Sequence, residues 1–340
     1  MNIYHQILET IKENKPAAIQ TCIQEKSGNA PEDISRKIVP AEPITDEKGR
    51  RSAKVTVGTD GDSLMITEPV LPQERLIILG GGHIAEPLCQ FAAKCGFTVC
   101  LVDDRPEFAN AKRFPEASRI VCDRFENAIA QLNITPFDYV VVITRGHRSD
   151  ADCLRKILPG TFPAYLGMIG SRRRVKAQLE LLAEEGFKKE KLDRICTPIG
   201  LKIGAVTPVE IAVSIMAEVI SYRRLPEFGS ENRYCNDSDV ELSVLEYLAE
   251  NTDPKAIVTV IETKGSSPRG AGAKMAVSPL GKVIGSIGGG CSEAAVIRDA
   301  VSIIGTGRYK IKEIDMTGDV AENDGMVCGG IMRVLIEDYI

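Results

Sequence analysis

The stretch Arg75 to Asp104, RLIILGGGHIAEPLCQFAAKCGFTVCLVDD, decides the fold. Leu76 to Leu79 is a short apolar run, and Gly80, Gly82 and Ala85 form a G-x-G-x-x-A turn. Ile84 to Ala93 is rich enough in apolar residues for a helix, and Phe97 to Val102 is a second β-rich run that ends in Asp103 and Asp104. A strand, a turn, a helix and a strand with an acid at its far end have the physical logic of a dinucleotide-binding unit. Gly80 permits the tight turn, Gly82 lets backbone approach a pyrophosphate, and Ala85 lets the helix lie close to the sheet. The phosphate would meet free N–H groups and the positive end of the helix dipole. Asp103 or Asp104 would hydrogen-bond a ribose hydroxyl.

Working outward, Pro72 opens a central domain that runs to about Arg224. Arg119 to Cys122, Tyr139 to Thr144 and Ala164 to Ile169 read as further apolar strands. Helical stretches near Phe125 to Leu132, Ser149 to Ile157 and Arg172 to Glu185 separate or follow them, and Thr207-Pro208 starts another helix. Strands alternating with helices predict an α/β fold with a doubly wound parallel, Rossmann-like sheet.

The segments on either side echo each other. LETIKEN at Leu8 to Asn14 matches LEYLAEN at Leu245 to Asn251, and AAIQTCIQEK at Ala17 to Lys26 matches KAIVTVIETK at Lys255 to Lys264. SLMITE ending at Glu68 matches RVLIE ending at Glu337. Two copies of one module are therefore expected to flank the central domain. The first copy is degenerate, because GSSPRGAGAKMAV, GSIGGGCSE and GMVCGG occur only in the second. The domain reading is 1–71 for the degenerate copy, 72–225 for the Rossmann-like domain, 226–239 for a linker and 240–340 for the complete copy. Within the first copy, Ile7 to Asn14 reads as a helix and Ala18 to Ile23 as a strand. Ser27 to Arg51 reads as polar loops, and Ala53 to Val57 and Leu64 to Ile66 read as strands around a turn at 59–62.

With 340 residues the chain can bury more than one core, and its net charge of -5 gives no electrostatic reason to expect nucleic acid. The longest apolar run, Ile211 to Ile220, contains Glu218 and is too short to span a bilayer. The first residues lack the apolar core of a signal peptide. Ten cysteines without a C-x-x-C pair fit neither a zinc site nor a disulfide framework. They are expected to be reduced thiols, which predicts a cytoplasmic protein.

Ligands of a doubly wound sheet collect beyond the carboxyl ends of its strands. His83, Asp103, Asp104, Arg105, Arg145, His147 and the run Ser171 to Arg174 fall there. Phosphate binding, ribose binding and proton transfer all have candidates among them, since an imidazole with a pKa near 6.5 transfers protons at neutral pH. The competing readings are structural: a solvated helix face for the arginines and a helix cap for His83. In GSIGGGCSE, Gly288, Gly289 and Gly290 must form a loop, and Cys291 opens a predicted helix. A thiol at a helix N-terminus has a lowered pKa and is a better nucleophile or soft-metal ligand. Cys328, in MVCGG, is followed by glycines that let a ligand or another backbone approach. The competing reading for both cysteines is an inert, tightly packed thiol. The acidic loop from Asp315 to Asp324 matches no familiar calcium loop.

At these residues the chain resembles the xanthine dehydrogenase accessory factor family, XdhC/CoxI. GGGHIAEPL, VDDRPEFA, RFPEA, TRGHRSD, YLGMIGSRRR, PIGLKIGA and TPVEIAVSIMAE carry the resemblance in the central domain. TKGSSPRGAGAKM, GSIGGGCSE and VCGG carry it in the last one. The resemblance implies binding of the molybdenum cofactor (molybdopterin), its protection while a cysteine desulfurase supplies a terminal sulfur, and delivery to an apo molybdenum hydroxylase of the xanthine dehydrogenase type. It makes Cys291 and Cys328 the first choice for cofactor contact. In the family the glycine-cysteine domain precedes the Rossmann domain; here the degenerate copy holds that place and the complete one follows. The long linker at 226–239 would let it reach back over its own Rossmann crevice or over that of a second subunit, the latter as an exchanged homodimer. The cofactor-binding set is thus Gly80, Gly82, His83, Asp103, Asp104, Arg145, His147, Ser171, Arg172, Gly289, Gly290, Cys291 and Cys328. The competing functions are an oxidoreductase using NAD(P), with His147 as acid or base, and a nucleotide-sensing scaffold.

Overall fold

The computed structural model describes residues 2–24, 34–42, 44–45, 51–61, 63–225, 235–316 and 330–339. The chain forms two compact units, Gln73–Cys235 and a second made of Met1–Pro72 together with Asn236–Ile340. The two terminal segments that echo each other in sequence therefore fold as one body.

The first copy in that body consists of α1 (Ile3–Lys12), β1 (Ala17–Gln24), β2 (Ile34–Pro40), β3 (Ile44–Thr45), β4 (Arg51–Ala53), β5 (Thr56–Asp60) and β6 (Ser63–Val70). Its main sheet is antiparallel in the order β2-β1-β6-β5. Strands β2 and β3 correct the loop reading within Ser27 to Arg51, of which residues 27–33, 43 and 46–50 lie outside the described residues. Ile34, Arg36 and Ile38 sit on alternate positions of a strand, but the central one is charged, so the apolar alternation that signals a strand is broken.

In the other unit, β7 (Arg75–Leu79), α2 (Ala85–Lys94), β8 (Thr98–Asp103), β9 (Arg119–Cys122), α3 (Phe125–Leu132), β10 (Tyr139–Val142), α4 (His147–Ile157), β11 (Tyr165–Met168), α5 (Arg172–Glu184), α6 (Lys189–Leu192) and α7 (Pro208–Arg224) follow one another. All neighbours in the sheet β11-β10-β7-β8-β9 are parallel. The expected doubly wound sheet is present. The interiors of β7, β8, β10 and β11 are continuous apolar runs because both faces are covered. Ile77, Leu79, Val140 and Val142 pack with α3, α4 and α5. Leu76, Ile78, Val99 and Val141 pack with α2 and α7. Strand order reverses between β7 and β10, which is the switch point where such sheets bind ligands. Arg75 donates two hydrogen bonds to the fully buried Asp138, at 2.7 and 2.6 Å, and so ties the amino end of β7 to the turn before β10.

After β12 (Cys235–Asn236), which lies in the span read as a linker, the second copy consists of α8 (Leu242–Glu250), β13 (Lys255–Lys264), β14 (Lys274–Val277), β15 (Val283–Gly285), α9 (Gly290–Ile303), β16 (Tyr309–Asp315) and β17 (Ile331–Tyr339). Its antiparallel sheet runs β15-β14-β13-β17-β16. Helix α9 covers one face of this sheet through Val296 and Ala300. Of the linker expected at 226–239, residues 226–234 lie outside the described residues. The remainder is pinned: Asp237 donates its N–H to Ala53 O at 3.0 Å, and Asp239 holds Arg269 at 2.7 Å. Among the described residues no helix is long and apolar enough to cross a membrane.

Candidate functional site

The carboxyl edge of the parallel sheet is built on three glycines that do different things. Gly80 leaves β7 with φ 116°, and a Cβ on it would stand 2.4 Å from Ile143 O. A Cβ on Gly81 would stand 2.4 Å from Phe108 O, so the loops after β7, β8 and β10 are pressed together. A Cβ on Gly82, in contrast, would meet nothing within 4 Å. Gly82 therefore borders open space at the switch point. The small Ala85 is fully buried at the start of α2.

The two acids at the end of β8 have separate tasks. Asp103 is buried and fully engaged. It accepts the Gly81 N–H at 2.7 Å, the Arg105 N–H at 3.1 Å and the Arg105 guanidinium at 2.9 and 3.0 Å. Burial works against its charge, but Arg105 and those N–H groups hold its pKa below the ordinary value. It latches the glycine loop to its neighbour. Asp104 is exposed and accepts from Arg145 at 3.0 Å. Because β7 lies between β8 and β10, that ion pair reaches across the end of β7.

Helices α2, α4 and α5 all begin at this edge, after the adjacent strands β7, β10 and β11, and their N-caps Ile84, Gly146 and Ser171 make no side-chain cap bond. Helix α7, by comparison, is closed by a full capping box of Thr207 and Glu210. In α2 the Ala85 N–H is taken by Gly82 O at 3.0 Å, while no N-cap side chain occupies the other first-turn N–H groups of α2, α4 and α5, which suits an anion. His83, Arg145, His147 and Ser171 to Arg174 are all exposed along the same edge.

Sequence reading did not single out Asp150, although it closes the TRGHRSD motif. Its position in the first turn of α4 is ordinary for an acid, which hid it. The side chain is buried and bonds the Thr144 hydroxyl at 2.5 Å. Burial pushes its pKa up to about 6, against the opposing effects of Thr144, His147 and Arg174. An acid whose folded pKa is raised stabilises the fold in its protonated form, so that contribution is present below pH ~4 and is lost as pH rises through 6. The Asp150→Asn variant is therefore expected to gain about 2–3 kcal/mol over wild type at pH 7.5, and to lose that advantage at pH 4. Urea unfolding at the two pH values measures this difference, and equal gains at both would contradict it.

In the second copy, Gly288 (φ 134°) and Gly289 (φ 75°) lead into α9, and a Cβ on Gly288 would lie 2.3 Å from Pro268. A Cβ on Gly330 would lie 2.5 Å from Ser266 O. The loop GSSPRG thus touches both of the other glycine motifs. Glu293, which sequence reading treated only as part of a helix, organises the turn. Its carboxylate accepts from the Ser286 hydroxyl at 2.7 Å and from the N–H groups of Ile287 and Gly289 at 3.1 and 2.8 Å. Burial opposes its charge, but Ser286 and the backbone donors lower its pKa. Gly290 and Cys291 occupy the first turn of α9. Cys328 and the part of the acidic loop from 317 to 324 lie outside the described residues. Among the described residues no cluster of His, Cys, Asp and Glu could hold a metal ion. The described cysteines are free thiols, and Cys89, Cys100 and Cys153 are buried, with their pKa values raised by burial.

These features define a chain that joins a Rossmann-type parallel-sheet fold to an antiparallel module with converging glycine loops. Residues 76–219 match the family model of the XdhC Rossmann domain, and residues 248–315 match that of the XdhC and CoxI family. The chain belongs to the XdhC/CoxI family. It is 34% identical over 172 residues to the uncharacterized protein YqeB of Escherichia coli, a match spanning 50% of this chain and 31% of that protein. It is 32% identical over 165 residues to a probable xanthine dehydrogenase subunit of Bacillus subtilis, spanning 48% of each. The chain thus aligns with less than half the length of either relative. A solved structure, a xanthine dehydrogenase from Bacillus halodurans, is 25% identical with a TM-score of 0.49, covering 64% of this chain and 62% of that one.

Proposed function

We propose that this protein is an accessory factor for a molybdenum hydroxylase of the xanthine dehydrogenase type. It binds molybdenum cofactor, shelters it while a cysteine desulfurase provides the terminal sulfur, and passes it to the apoenzyme. The observation that carries the reading is the carboxyl edge of the parallel sheet. Open space beside Gly82, three helix starts without side-chain caps and the exposed Arg145 and Arg172 suit the phosphate of a pterin or of its nucleotide form. When bound, the cofactor supplies the dithiolene sulfurs and the metal. The protein's part is to hold the phosphate beside the Gly82 backbone, the N–H groups of Gly80 and Gly81 being taken by Val102 O and Asp103, and through Arg145, Ser171 and Arg172; Cys291 and Cys328 are the thiols proposed to contact the cofactor. A homodimer belongs to the same reading.

One observation favours a second ligand class. Asp104, exposed beside the glycine loop, suits a ribose hydroxyl, as an NAD(P)-dependent oxidoreductase would require. Anaerobic titration with molybdenum cofactor and, in parallel, with NAD distinguishes the two. Cofactor binding weakened at least tenfold by Cys291→Ala or Cys328→Ala is expected. Binding of NAD alone, unaffected by either substitution, would overturn the accessory reading in favour of a dehydrogenase.

A further inference from the structure

The register of the two terminal sheets makes them equivalent residue by residue. In the first copy Thr21 pairs with Arg36 on β2 and Ile66 on β6, while Ile19 pairs with Glu68. In the second copy Thr259 pairs with Lys274 on β14 and Leu335 on β17, while Ile257 pairs with Glu337. Each copy therefore places one cation and one carboxylate at the same two positions.

The charges are satisfied across the copies. Lys274 reaches Glu68 at 2.5 Å, and Arg36 bonds Glu337. The two bonds are one contact made twice, with the roles of the copies exchanged. All four side chains are buried or nearly so, the most accessible being Arg36 at 16%. The apolar contacts repeat in the same way. Ile23 and Ile261, with Ile66 and Leu335, share one cluster. Ile7, Leu8 and Ile11 of α1 share another with their counterparts Val244, Leu245 and Leu248 of α8. A surface on which position i meets j and j meets i is isologous, the geometry of a two-fold dimer.

We propose that the face between the copies is an isologous docking surface for a module of this kind, and that α1, β1, β2 and β6 occupy it in place of a second chain's α8, β13, β14 and β17. The second copy is self-complementary, because Lys274 of one chain would meet Glu337 of another in the place where Glu68 now sits. In the wild-type chain the covalent linkage favours the internal partner through its high effective concentration.

The test uses the full chain. Arg36→Glu with Glu68→Lys sets two carboxylates against each other and two ammonium groups against each other, while the second copy keeps its own pair of charges. Rejected internally, that copy is expected to pair with its equivalent in another molecule, so the particle mass measured by light scattering doubles relative to wild type. Adding Lys274→Glu and Glu337→Lys reverses both sides, restores both internal pairs and is expected to return the mass to the wild-type value. Any other result overturns the proposal, whether a double variant of unchanged mass, one that unfolds, or a quadruple variant that fails to revert.

Discussion

Gly80→Ala is expected to destabilise the protein by about 3–5 kcal/mol, whereas Gly82→Ala, two residues on, is expected to change stability by less than ~1 kcal/mol. At Gly80 the backbone has φ 116°, and the added methyl would meet Ile143 O, Ile143 C and Thr144 Cα within 2.8 Å. Those are backbone atoms at the junction of two parallel strands, held by the β7–β10 ladder and unable to swing aside like a side chain. At Gly82 the methyl enters empty space and the backbone is outside the left-handed region. If that space receives a phosphate, Gly82→Ala should reduce affinity for a phosphate-bearing cofactor at least tenfold while thermal unfolding is unchanged. Normal ligand binding by a folded Gly82→Ala variant would show that the ligand lies elsewhere.

The second large effect is at Lys274. Truncation to alanine should cost about 3–5 kcal/mol, because it strands the Glu68 carboxylate in the interior. Lys274 bonds Glu68 and, at 2.8 Å, the Thr259 hydroxyl, and both charged side chains are almost inaccessible. The cost comes chiefly from the charge left behind. Lys274→Met combined with Glu68→Leu, which removes both charges and retains volume, should therefore recover most of the loss. Denaturant unfolding of wild type, single and double variants completes this cycle. A double variant no more stable than Lys274→Ala would show that the charges themselves, and not their pairing, support the fold.

Much of the parallel sheet was legible because its signals are local. Runs such as Tyr139 to Val142 are apolar on both faces, and each is bounded by a helix within a few residues. The echo between the terminal segments was legible for the same reason, down to the alignment of Glu68 with Glu337. What the sequence could not display was partnership at long range. Strand β2 looked like a loop because Arg36 breaks its pattern, and the residue that makes Arg36 acceptable in a sheet is Glu337, at the other end of the chain. Asp103 and Asp104 were interchangeable on paper. They differ because only Asp103 turns inward to Gly81 and Arg105. Asp150 and Glu293 were hidden by an ordinary place in the first turn of a helix, and only the donors around them reveal their work.

The mutual burial of the two copies also governs the order in which the chain can mature during synthesis. The first copy emerges from the ribosome with one side of its sheet unsatisfied: Ile23 and Ile66 lack their apolar neighbours and Glu68 its counter-ion. Strands β14 and β17 are translated only after the whole parallel-sheet unit. That unit makes mostly near-neighbour pairings and can fold meanwhile as an insert. The terminal body closes last, when Tyr339 arrives to donate its hydroxyl to Asn2 at 2.9 Å. Nascent chains stalled before β17 should thus carry a finished central unit beside an adhesive, half-built sheet, the species on which a general folding chaperone would act.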